Sequence, residues 1–308
     1  MEKEHKKIAI IGAGPAGITA AIYVKRSGIE PVIFENYVPG GKVNFTAIVE
    51  NYPAFPSISG PDLAMHLYEH LQKQELDIVA ASVLDIKKNN AGFEVITDQD
   101  NEQFDAVIVC SGTIEQKLPL LEANRYEHHG ISYCAVCDGP FYRGKDVAVI
   151  GGGDSALEEA CYLSSFCRKI YLIHRRDTFR ASRTLIEKVQ HTKNIQIILQ
   201  SEVIRILGEK EVEEIEILHH DTKQVEKKAV RCLFPYIGAK ANTSFLDSLH
   251  MVDEKGYIAV DENRKTKVPG IFAAGDVIQK DLRQIVTAAS DGAIAGIEAS
   301  RYVKENDI

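Results

Sequence analysis

Positive charge, cysteine and long apolar runs are all scarce in this chain of 308 residues. Its 36 basic residues are outnumbered by 44 acidic residues, which gives a net charge of −8. That balance does not favour nucleic acid or an anionic membrane surface as a partner. No apolar run is long enough to span a bilayer, so we expect no membrane association.

The six cysteines are too few for a disulfide scaffold in a chain of this length. Four of them fall in apolar runs, where a small buried side chain is the better interpretation: Cys110, Cys161, Cys167 and Cys232. One closely spaced pair is left, a usage that fits a reducing cytoplasm. The length and the 45% hydrophobic content suit a globular protein of two domains.

The remaining pair, Cys134 and Cys137, is separated by two residues and followed at once by Asp138. Cysteines at this spacing can close a small disulfide ring and reopen it, which is two-electron chemistry. The adjacent carboxyl group is close enough in sequence to supply or accept a proton. A structural zinc site is the alternative, but it needs four ligands and the chain has no second pair of this kind. The motif therefore predicts a redox dithiol with these three catalytic residues.

A possible metal motif, His66-Leu-Tyr-Glu69-His70, matches a pattern of some zinc peptidases. The two histidines would share one face of a predicted amphipathic helix. No recognisable third ligand follows them, and zinc needs at least three protein ligands. We therefore expect no metal site in this protein.

The chain contains an internal repeat of a strand, a glycine-rich turn, a helix and a second strand. The turn positions are Gly12, Gly14 and Gly17 in the first copy and Gly151, Gly153 and Ala156 in the second. Each second strand ends 23 positions after the first glycine of its turn, at Glu35 and at His174. A glycine pattern alone is a weak signal, but this context of strand, helix and second strand indicates a dinucleotide site.

Both turns suit the pyrophosphate of a dinucleotide. The first glycine makes the turn, the second lets the backbone approach the phosphates, and the third position allows the helix to pack closely on the strand. Free backbone N–H groups and the helix dipole then hold the phosphates. Two such units predict two bound dinucleotides and an α/β protein with two Rossmann-like, three-layer nucleotide-binding domains.

The residue at the end of each second strand distinguishes the two units. Glu35 is placed to accept hydrogen bonds from ribose hydroxyls, which suits an adenosine with a free 2′-hydroxyl. The second unit has His174, Arg175 and Arg176 at the same place, with Arg180 and Arg183 close behind. A basic cluster there favours a 2′-phosphate, and hence NADPH over NADH. The alternative is that the arginines lie in a solvated loop.

The rest of the chain has simpler patterns. A helix is predicted at 62–74, and strands are predicted at 78–86, 93–97, 106–110, 212–218 and 228–234. Near the C-terminus a short strand ends in Gly275-Asp276, and a helix rich in small residues follows Arg283. Small residues let backbone approach a flat ligand, and a helix start aimed at a flavin would stabilise the negative charge of its reduced form. A tightly packed core helix is the alternative.

In combination these segments resemble the low-molecular-weight, bacterial-type thioredoxin reductases of the pyridine nucleotide-disulfide oxidoreductase family. The matching pieces cover most of the chain: Gly12–Gly17, Gly40-Gly41, Val49-Glu50-Asn51, Tyr133–Gly139, Gly151–Ala156, His174–Ala181, Phe272–Asp276 and Arg283–Ala289. The resemblance implies an FAD domain of residues 1–115 and 246–308, with an NADPH domain of residues 116–245 inserted in it and carrying the dithiol. It also implies a homodimer and a rotation between the domains that presents the flavin in turn to NADPH and to the dithiol.

The resemblance assigns roles residue by residue. Those implied to bind FAD are Gly12, Gly14, Pro15, Ala16, Gly17, Glu35, Gly40, Gly41, Lys42, Asn51, Gly275, Asp276, Arg283, Gln284 and Ile285. Those implied to bind NADPH are Gly151, Gly153, Asp154, Ser155, Ala156, His174, Arg175, Arg176 and Arg180. Electrons would pass from NADPH through FAD to the disulfide, with Cys137 facing the flavin, Cys134 attacking thioredoxin and Asp138 acting as the general acid.

The sequence departs from the family pattern at Lys42, at Lys117–Glu122 in place of Gly-x-Pro-Gly and at Ala241-Asn242 in place of Pro-Asn, and there are alternatives to the implied function. Lys42 stands where the family usually has glutamine, which places a cation near the flavin. The acceptor could instead be a glutaredoxin-like protein, a peroxidase-reducing protein or a small disulfide, because docking residues form no motif. A nucleotide-binding redox sensor without catalysis would leave the dithiol and the doubled turns without a joint purpose. A plain NADPH–ferredoxin oxidoreductase would not need the paired cysteines.

Overall fold

The computed structural model describes residues 6–306 of the chain. Its strands are β1 (Lys7–Ile11), β2 (Glu30–Phe34), β3 (Ile48–Val49), β4 (Ile58–Ser59), β5 (Ile78–Val79), β6 (Val83–Asn89), β7 (Gly92–Thr97), β8 (Asn101–Phe104), β9 (Ala106–Val109), β10 (Thr113–Glu115), β11 (Asp146–Gly151), β12 (Lys169–Ile173), β13 (Ile195–Ile198), β14 (Ser201–Leu207), β15 (Glu214–His219), β16 (Val225–Ala229), β17 (Cys232–Tyr236), β18 (Ala239–Ala241) and β19 (Ile271–Ala273). Its α-helices are α1 (Pro15–Arg26), α2 (Gly60–Lys73), α3 (Ala123–Tyr126), α4 (Ala135–Asp138), α5 (Asp154–Ser164), α6 (Arg183–His191) and α7 (Ile285–Glu305). Within the described range, no helix is both long and apolar enough to cross a membrane.

The chain divides into two compact units. The first contains the chain up to Asn44, Ile48–Ile114 and the chain from Lys240 onward, whereas the second contains Phe45–Ala47 and Glu115–Ala239. The second unit is therefore an insertion in the first. Strands β10 and β18 form a two-stranded sheet where the chain leaves the first unit and returns to it.

The first unit is built on a five-stranded parallel sheet in the order β19-β9-β1-β2-β5. Side chains alternate along its central strand, because successive residues of a strand point to opposite faces. Ile8 and Ile10 pack with α1 and α7, whereas Ala9 and Ile11 pack with residues of the antiparallel sheet β6-β7-β8. The sheet thus lies between a helical layer and a second sheet.

The second unit repeats this plan on a four-stranded parallel sheet in the order β13-β12-β11-β17. Val147 and Val149 of β11 pack with residues of α5 and α6. Ala148 and Ile150 pack with residues of the antiparallel sheet β14-β15-β16. Two Rossmann-like three-layer units are therefore confirmed, and the predicted helix at 62–74 is α2.

Two strand predictions are wrong in the same way. The run 78–86 is two strands, because β5 pairs with β2 in the parallel sheet and β6 pairs with β7 in the antiparallel sheet. The run 228–234 is likewise divided between β16, which pairs with β15, and β17, which pairs with β11. At both places the chain passes from one sheet to the other. Apolar periodicity indicates a strand but does not identify its partner, so the breaks were not visible in sequence.

Candidate active site

The dithiol loop of the second unit holds Cys134 and Cys137 as a disulfide, with their Cα atoms 5.3 Å apart. Cys134 precedes the short helix α4, and its Sγ accepts a hydrogen bond from the backbone N–H of Cys137 at 3.0 Å. Cys134 is half-buried and Cys137 is exposed in this structure. The ring is closed and lies at the surface of its unit, where another disulfide or a reductant can reach it.

Asp138 is held by a residue that the sequence did not single out. Ser132 is buried, and its hydroxyl donates to Oδ2 of Asp138 at 2.6 Å. The hydroxyl oxygen of Ser132 also accepts the backbone N–H of Cys134 at 3.1 Å. A serine two positions before the first cysteine, together with an acid directly after the second, was the available sequence signal. It was missed because short polar residues near turns usually form only local contacts.

The floor of the loop is made by the parallel sheet and α5. Tyr236 at the end of β17 accepts the Ala135 N–H at 3.3 Å through its hydroxyl, and burial raises the pKa of that phenol far above its ordinary value. A Cβ on Gly139 would lie 2.9 Å from the Leu163 side chain, so the chain passes close over α5 there. These contacts place the disulfide over the carboxyl end of the second sheet, next to the second glycine turn.

The first glycine turn has the geometry expected of it. Gly12 has a φ of +106°, and a Cβ there would lie 2.5 Å from the Cys110 carbonyl oxygen. A Cβ on Gly14 would meet nothing within 4 Å, so the backbone at this position is open to a ligand. Glu35 follows β2 directly, and its carboxylate accepts the N–H groups of Ala13 and Tyr37, each at 2.9 Å. Glu35, at the end of β2, is thus held by hydrogen bonds next to the first glycine turn.

Other predicted residues of the first unit gather around the same turn. Gly40 donates its N–H to the Ala13 carbonyl at 2.7 Å, and a Cβ on Gly41 would lie 3.3 Å from the Cα of Gly14. Pro15, Ala16 and Gly17 form the first turn of α1. Farther along the chain, Asn51 donates to the Gln284 side chain at 3.1 Å, just before α7 begins at Ile285.

Asp276 carries an unsatisfied buried atom. Its Oδ1 has no hydrogen-bond partner among residues 6–306, and Lys280 Nζ lies 3.8 Å from it. Burial raises the pKa of this carboxyl group, while Lys280, Lys42 and Arg283 act in the opposite direction. A buried acceptor without a donor is costly in a folded protein, so this oxygen is available to a donor from a bound molecule. Arg283 also lies over the Tyr257 ring at 4.4 Å.

The small residues of α7 have a packing role. A Cβ on Gly292 would lie 2.1 Å from the Ala16 carbonyl oxygen, and one on Gly296 would lie 2.8 Å from the Ala20 carbonyl oxygen. Helix α7 therefore packs closely on α1. Its small residues are explained by the core, which was the alternative to a flat ligand.

The second glycine turn repeats the first. Gly151 has a φ of +154°, and a Cβ there would lie 2.5 Å from the Tyr236 carbonyl oxygen, whereas Gly153 faces open space. Asp154, the first residue of α5, accepts the Ser182 N–H at 2.8 Å, and Ser155 and Ala156 continue that helix. The Arg180 N–H donates to the Gly152 carbonyl at 2.8 Å, which brings the basic segment back to the turn.

His174 follows β12 directly and stacks on Phe179, with the ring centroids 5.6 Å apart. Burial lowers the pKa of this histidine, and the charges of Arg176, Arg175 and Arg180 add to that effect. All three arginines therefore lie near the imidazole. The structure gathers the predicted basic cluster at the end of the second strand, as the register with Glu35 required.

The two dinucleotide-type turns and the disulfide loop define a class, the disulfide oxidoreductases that use two nucleotides. A family model described as pyridine nucleotide-disulphide oxidoreductase matches residues 6–292. The chain belongs to this family.

Proteins similar to this chain match it over nearly its whole length. It is 40% identical over 290 residues to a protein of Mycoplasma genitalium named thioredoxin reductase, covering 94% of this chain and 92% of the relative. It is 38% identical over 312 residues to the thioredoxin reductase of Ureaplasma parvum, covering both chains completely. The crystal structure of Lactococcus lactis thioredoxin reductase in the FR conformation superposes with a TM-score of 0.95 at 39% identity, covering 97% of this chain and 99% of that one.

Proposed function

We propose that this chain is an NADPH-dependent FAD flavoprotein that reduces the disulfide of thioredoxin through Cys134 and Cys137. The observation that carries the proposal is the closed disulfide beside an acid, in a unit that also has a nucleotide-type glycine turn. The names of the relatives, which match over nearly the whole chain, support thioredoxin as the acceptor. The first unit is then the FAD domain and the inserted unit is the NADPH domain.

The residues of the first unit fit FAD. The open backbone at Gly14 and the N–H groups around the turn suit a pyrophosphate, and Glu35 suits ribose hydroxyls. The unpaired Oδ1 of Asp276 suits a hydroxyl donor of the ligand, with Lys42 and Arg283 close by. Gly40, Gly41, Asn51, Gln284 and Ile285 complete the proposed site.

The residues of the second unit fit NADPH. Gly153 leaves room for the pyrophosphate at the start of α5, and the cluster around His174 suits a 2′-phosphate. When bound, the two nucleotides supply hydride transfer and a two-electron reductant for the disulfide. The role of the chain is to bind and orient the two nucleotides and to transfer protons to and from the dithiol.

The dithiol step balances as follows. Opening the Cys134–Cys137 bond takes two electrons and two protons. The Cys134 thiolate attacks one sulfur of the acceptor disulfide, and the other acceptor sulfur leaves as a thiolate that Asp138 protonates. Cys137 then gives up its proton and attacks the mixed disulfide, which closes the ring, and the second acceptor sulfur leaves as a thiolate that takes up this proton. The Cys137 N–H donated to Cys134 Sγ favours a thiolate at that sulfur.

The test is thioredoxin reduction by NADPH with the purified flavoprotein. Cys134→Ser and Cys137→Ser should each abolish disulfide reduction while the yellow flavin is still bleached by NADPH. Wild-type turnover in either variant, or a protein that cannot be loaded with FAD, would contradict the proposal. Cys161→Ser is the matched control, because Cys161 is a half-buried free thiol of the same unit.

The acceptor, the assembly and the location belong to the same proposal. Turnover with thioredoxins, glutaredoxin-like proteins, peroxidase-reducing proteins and small disulfides should be compared in one assay. A higher kcat/KM for another acceptor would mean that this acceptor, and not thioredoxin, is the substrate.

We propose a homodimer in the cytoplasm. Sedimentation of the flavin-loaded protein at about twice the 34.1 kDa chain mass checks the first, and cell fractionation checks the second.

A further inference from the structure

Ser132 occupies a position between the acid and the backbone of the dithiol loop. Its Oγ lies 2.6 Å from Asp138 Oδ2, 3.1 Å from the Cys134 nitrogen and 3.2 Å from the Cys134 carbonyl oxygen. The side chain is buried, so solvent does not compete strongly for these contacts. One hydroxyl group thus connects Asp138 to both backbone polar groups of Cys134.

A serine hydroxyl has one proton to donate and two lone pairs to accept with. When Asp138 is ionised, the 2.6 Å contact is a charge-assisted hydrogen bond from the hydroxyl to the carboxylate. The oxygen then accepts the Cys134 N–H, and the Cys134 carbonyl receives no proton from Ser132. This arrangement satisfies the shortest contact and stabilises the ionised acid.

When Asp138 is protonated, the same contact reverses. The carboxyl O–H donates to Ser132 Oγ, and the serine proton has to turn towards another acceptor. The Cys134 carbonyl oxygen at 3.2 Å is the acceptor in reach. No proton is gained or lost by Ser132 in this exchange, since its hydroxyl only rotates.

We propose that Ser132 is a positioning residue that couples the protonation state of Asp138 to the backbone of Cys134. This inference rests on the proposed role of the dithiol, which it deepens. Ser132 donates to the Asp138 carboxylate when the acid is ionised and accepts from it when the acid is protonated. When the protonation state of Asp138 changes, the hydrogen bonds between Ser132 and the backbone of Cys134 change with it, and Cys134 is the residue whose sulfur attacks the acceptor.

The other titratable groups near Asp138 do not contribute to the pH dependence expected for this coupling. Tyr142 and Cys232 both experience its charge, and burial raises the pKa of each far above neutral, so they remain protonated at working pH. The two dithiol cysteines are the groups that titrate beside the acid in the reduced protein. A pH profile of the dithiol therefore reports on Asp138 and the two thiols.

The experiment measures alkylation by iodoacetamide of the flavin-loaded protein after reduction with dithiothreitol, as a function of pH. Peptide mapping by mass spectrometry separates the dithiol from Cys161. In Ser132→Ala the ionised acid loses its donor, so the inflection due to Asp138 should move up by about one pH unit, a tenfold change in proton affinity. Ser132→Thr keeps the hydroxyl and should restore the wild-type profile.

Two further variants separate coupling from a general loss of structure. In Asp138→Asn the inflection should vanish, and adding Ser132→Ala should then change nothing. Ser201→Ala is the matched control, because Ser201 is a buried serine of the same unit whose hydroxyl donates to the carbonyl oxygen of Leu199, two residues away. It should leave the profile unchanged.

The outcomes are distinct. A Ser132→Ala profile that does not move, or that moves equally in the Asp138→Asn background, would overturn the coupling. If Ser132→Ala does not fold, the wild type decides: with 13C-labelled aspartate and 15N-labelled cysteine, the Cys134 N–H signal should titrate together with the Asp138 carboxyl signal. Independent titration would reject the inference. None of these measurements uses thioredoxin or NADPH, so the proposed function can fail or hold separately.

Discussion

The two glycine turns share their backbone geometry and differ in the side chains around it. Gly12 and Gly151 both have positive φ angles, and a Cβ on either would lie 2.5 Å from a carbonyl oxygen of the neighbouring strand. Gly14 and Gly153 both face open space. The common features shape a phosphate-binding turn, so the ligand is chosen by the positions that differ.

Three pairs of equivalent positions differ in an informative way. The third turn position is Gly17 in the first unit and Ala156 in the second. The strand end is Glu35 in the first and His174 in the second. One face of the following helix has buried Ala20 in α1 and buried Glu159 in α5. These pairs concern packing, cofactor choice and charge, and each can be tested by substitution.

The third turn position should give the largest effect. A Cβ on Gly17 would lie 1.8 Å from the Gly12 carbonyl oxygen, so Gly17→Ala has to push α1 away from β1. We expect a loss of at least about 3 kcal/mol of stability, with loss of bound flavin. Denaturant unfolding and flavin fluorescence measure both.

The reverse change in the second unit is its control. Ala156→Gly removes one methyl group inside a helix and should cost about 1 kcal/mol. If Gly17→Ala were tolerated as well as Ala156→Gly, the two turns would not differ in packing.

Sequence reasoning found what recurs at fixed spacing and missed what comes together from separate segments. The 23-residue register placed Glu35 and His174 at the ends of the two second strands, and in the structure each lies directly after its strand, β2 or β12. It could not show that Ser132 bonds Asp138, because nothing in a sequence gives the direction of a hydroxyl. The buried ion pairs of Asp291 with Lys280 at 2.7 Å and Arg264 at 2.9 Å were also invisible. They join three segments near Gly275 that only the fold brings together.

The strand-end pair should give the second largest effect. Replacing Arg175 and Arg176 together with alanine removes cations near His174, and each charge-assisted contact to a 2′-phosphate is worth about 1.5–3 kcal/mol. The KM for NADPH should rise about 100-fold or more, while the KM for NADH changes little. Steady-state kinetics with both nucleotides measure the ratio.

Arg183 provides the control for this change. Its side chain is 92% exposed and pairs with Glu187 at 2.8 Å on the surface of α6. Arg183→Ala should therefore leave both constants near their wild-type values. Equal rises for NADPH and NADH in the double variant would reject the 2′-phosphate assignment and favour a solvated loop.

The helix pair should give the smallest effect, and its sign depends on pH. Glu159 is only 4% exposed and its Oε2 has no hydrogen-bond partner among the described residues. Burial, followed by the charge of Glu158, raises the pKa of Glu159 from 4.5 to about 8. The folded protein thus holds this proton more tightly than the unfolded chain, and stability falls as pH rises from about 4.5 through about 8.

Glu159→Gln removes the loss of stability at high pH, because the amide side chain has no charge to bury. We expect the melting temperature of the variant to exceed that of the wild type by about 2–4 °C at pH 9, with a smaller difference at pH 6. Glu158→Gln should give a smaller gain of the same sign, since it removes only the neighbouring charge. A difference independent of pH would mean that Glu159 is not protonated in the fold. The helix of the second unit would then carry a buried negative charge at the position where α1 has the neutral Ala20.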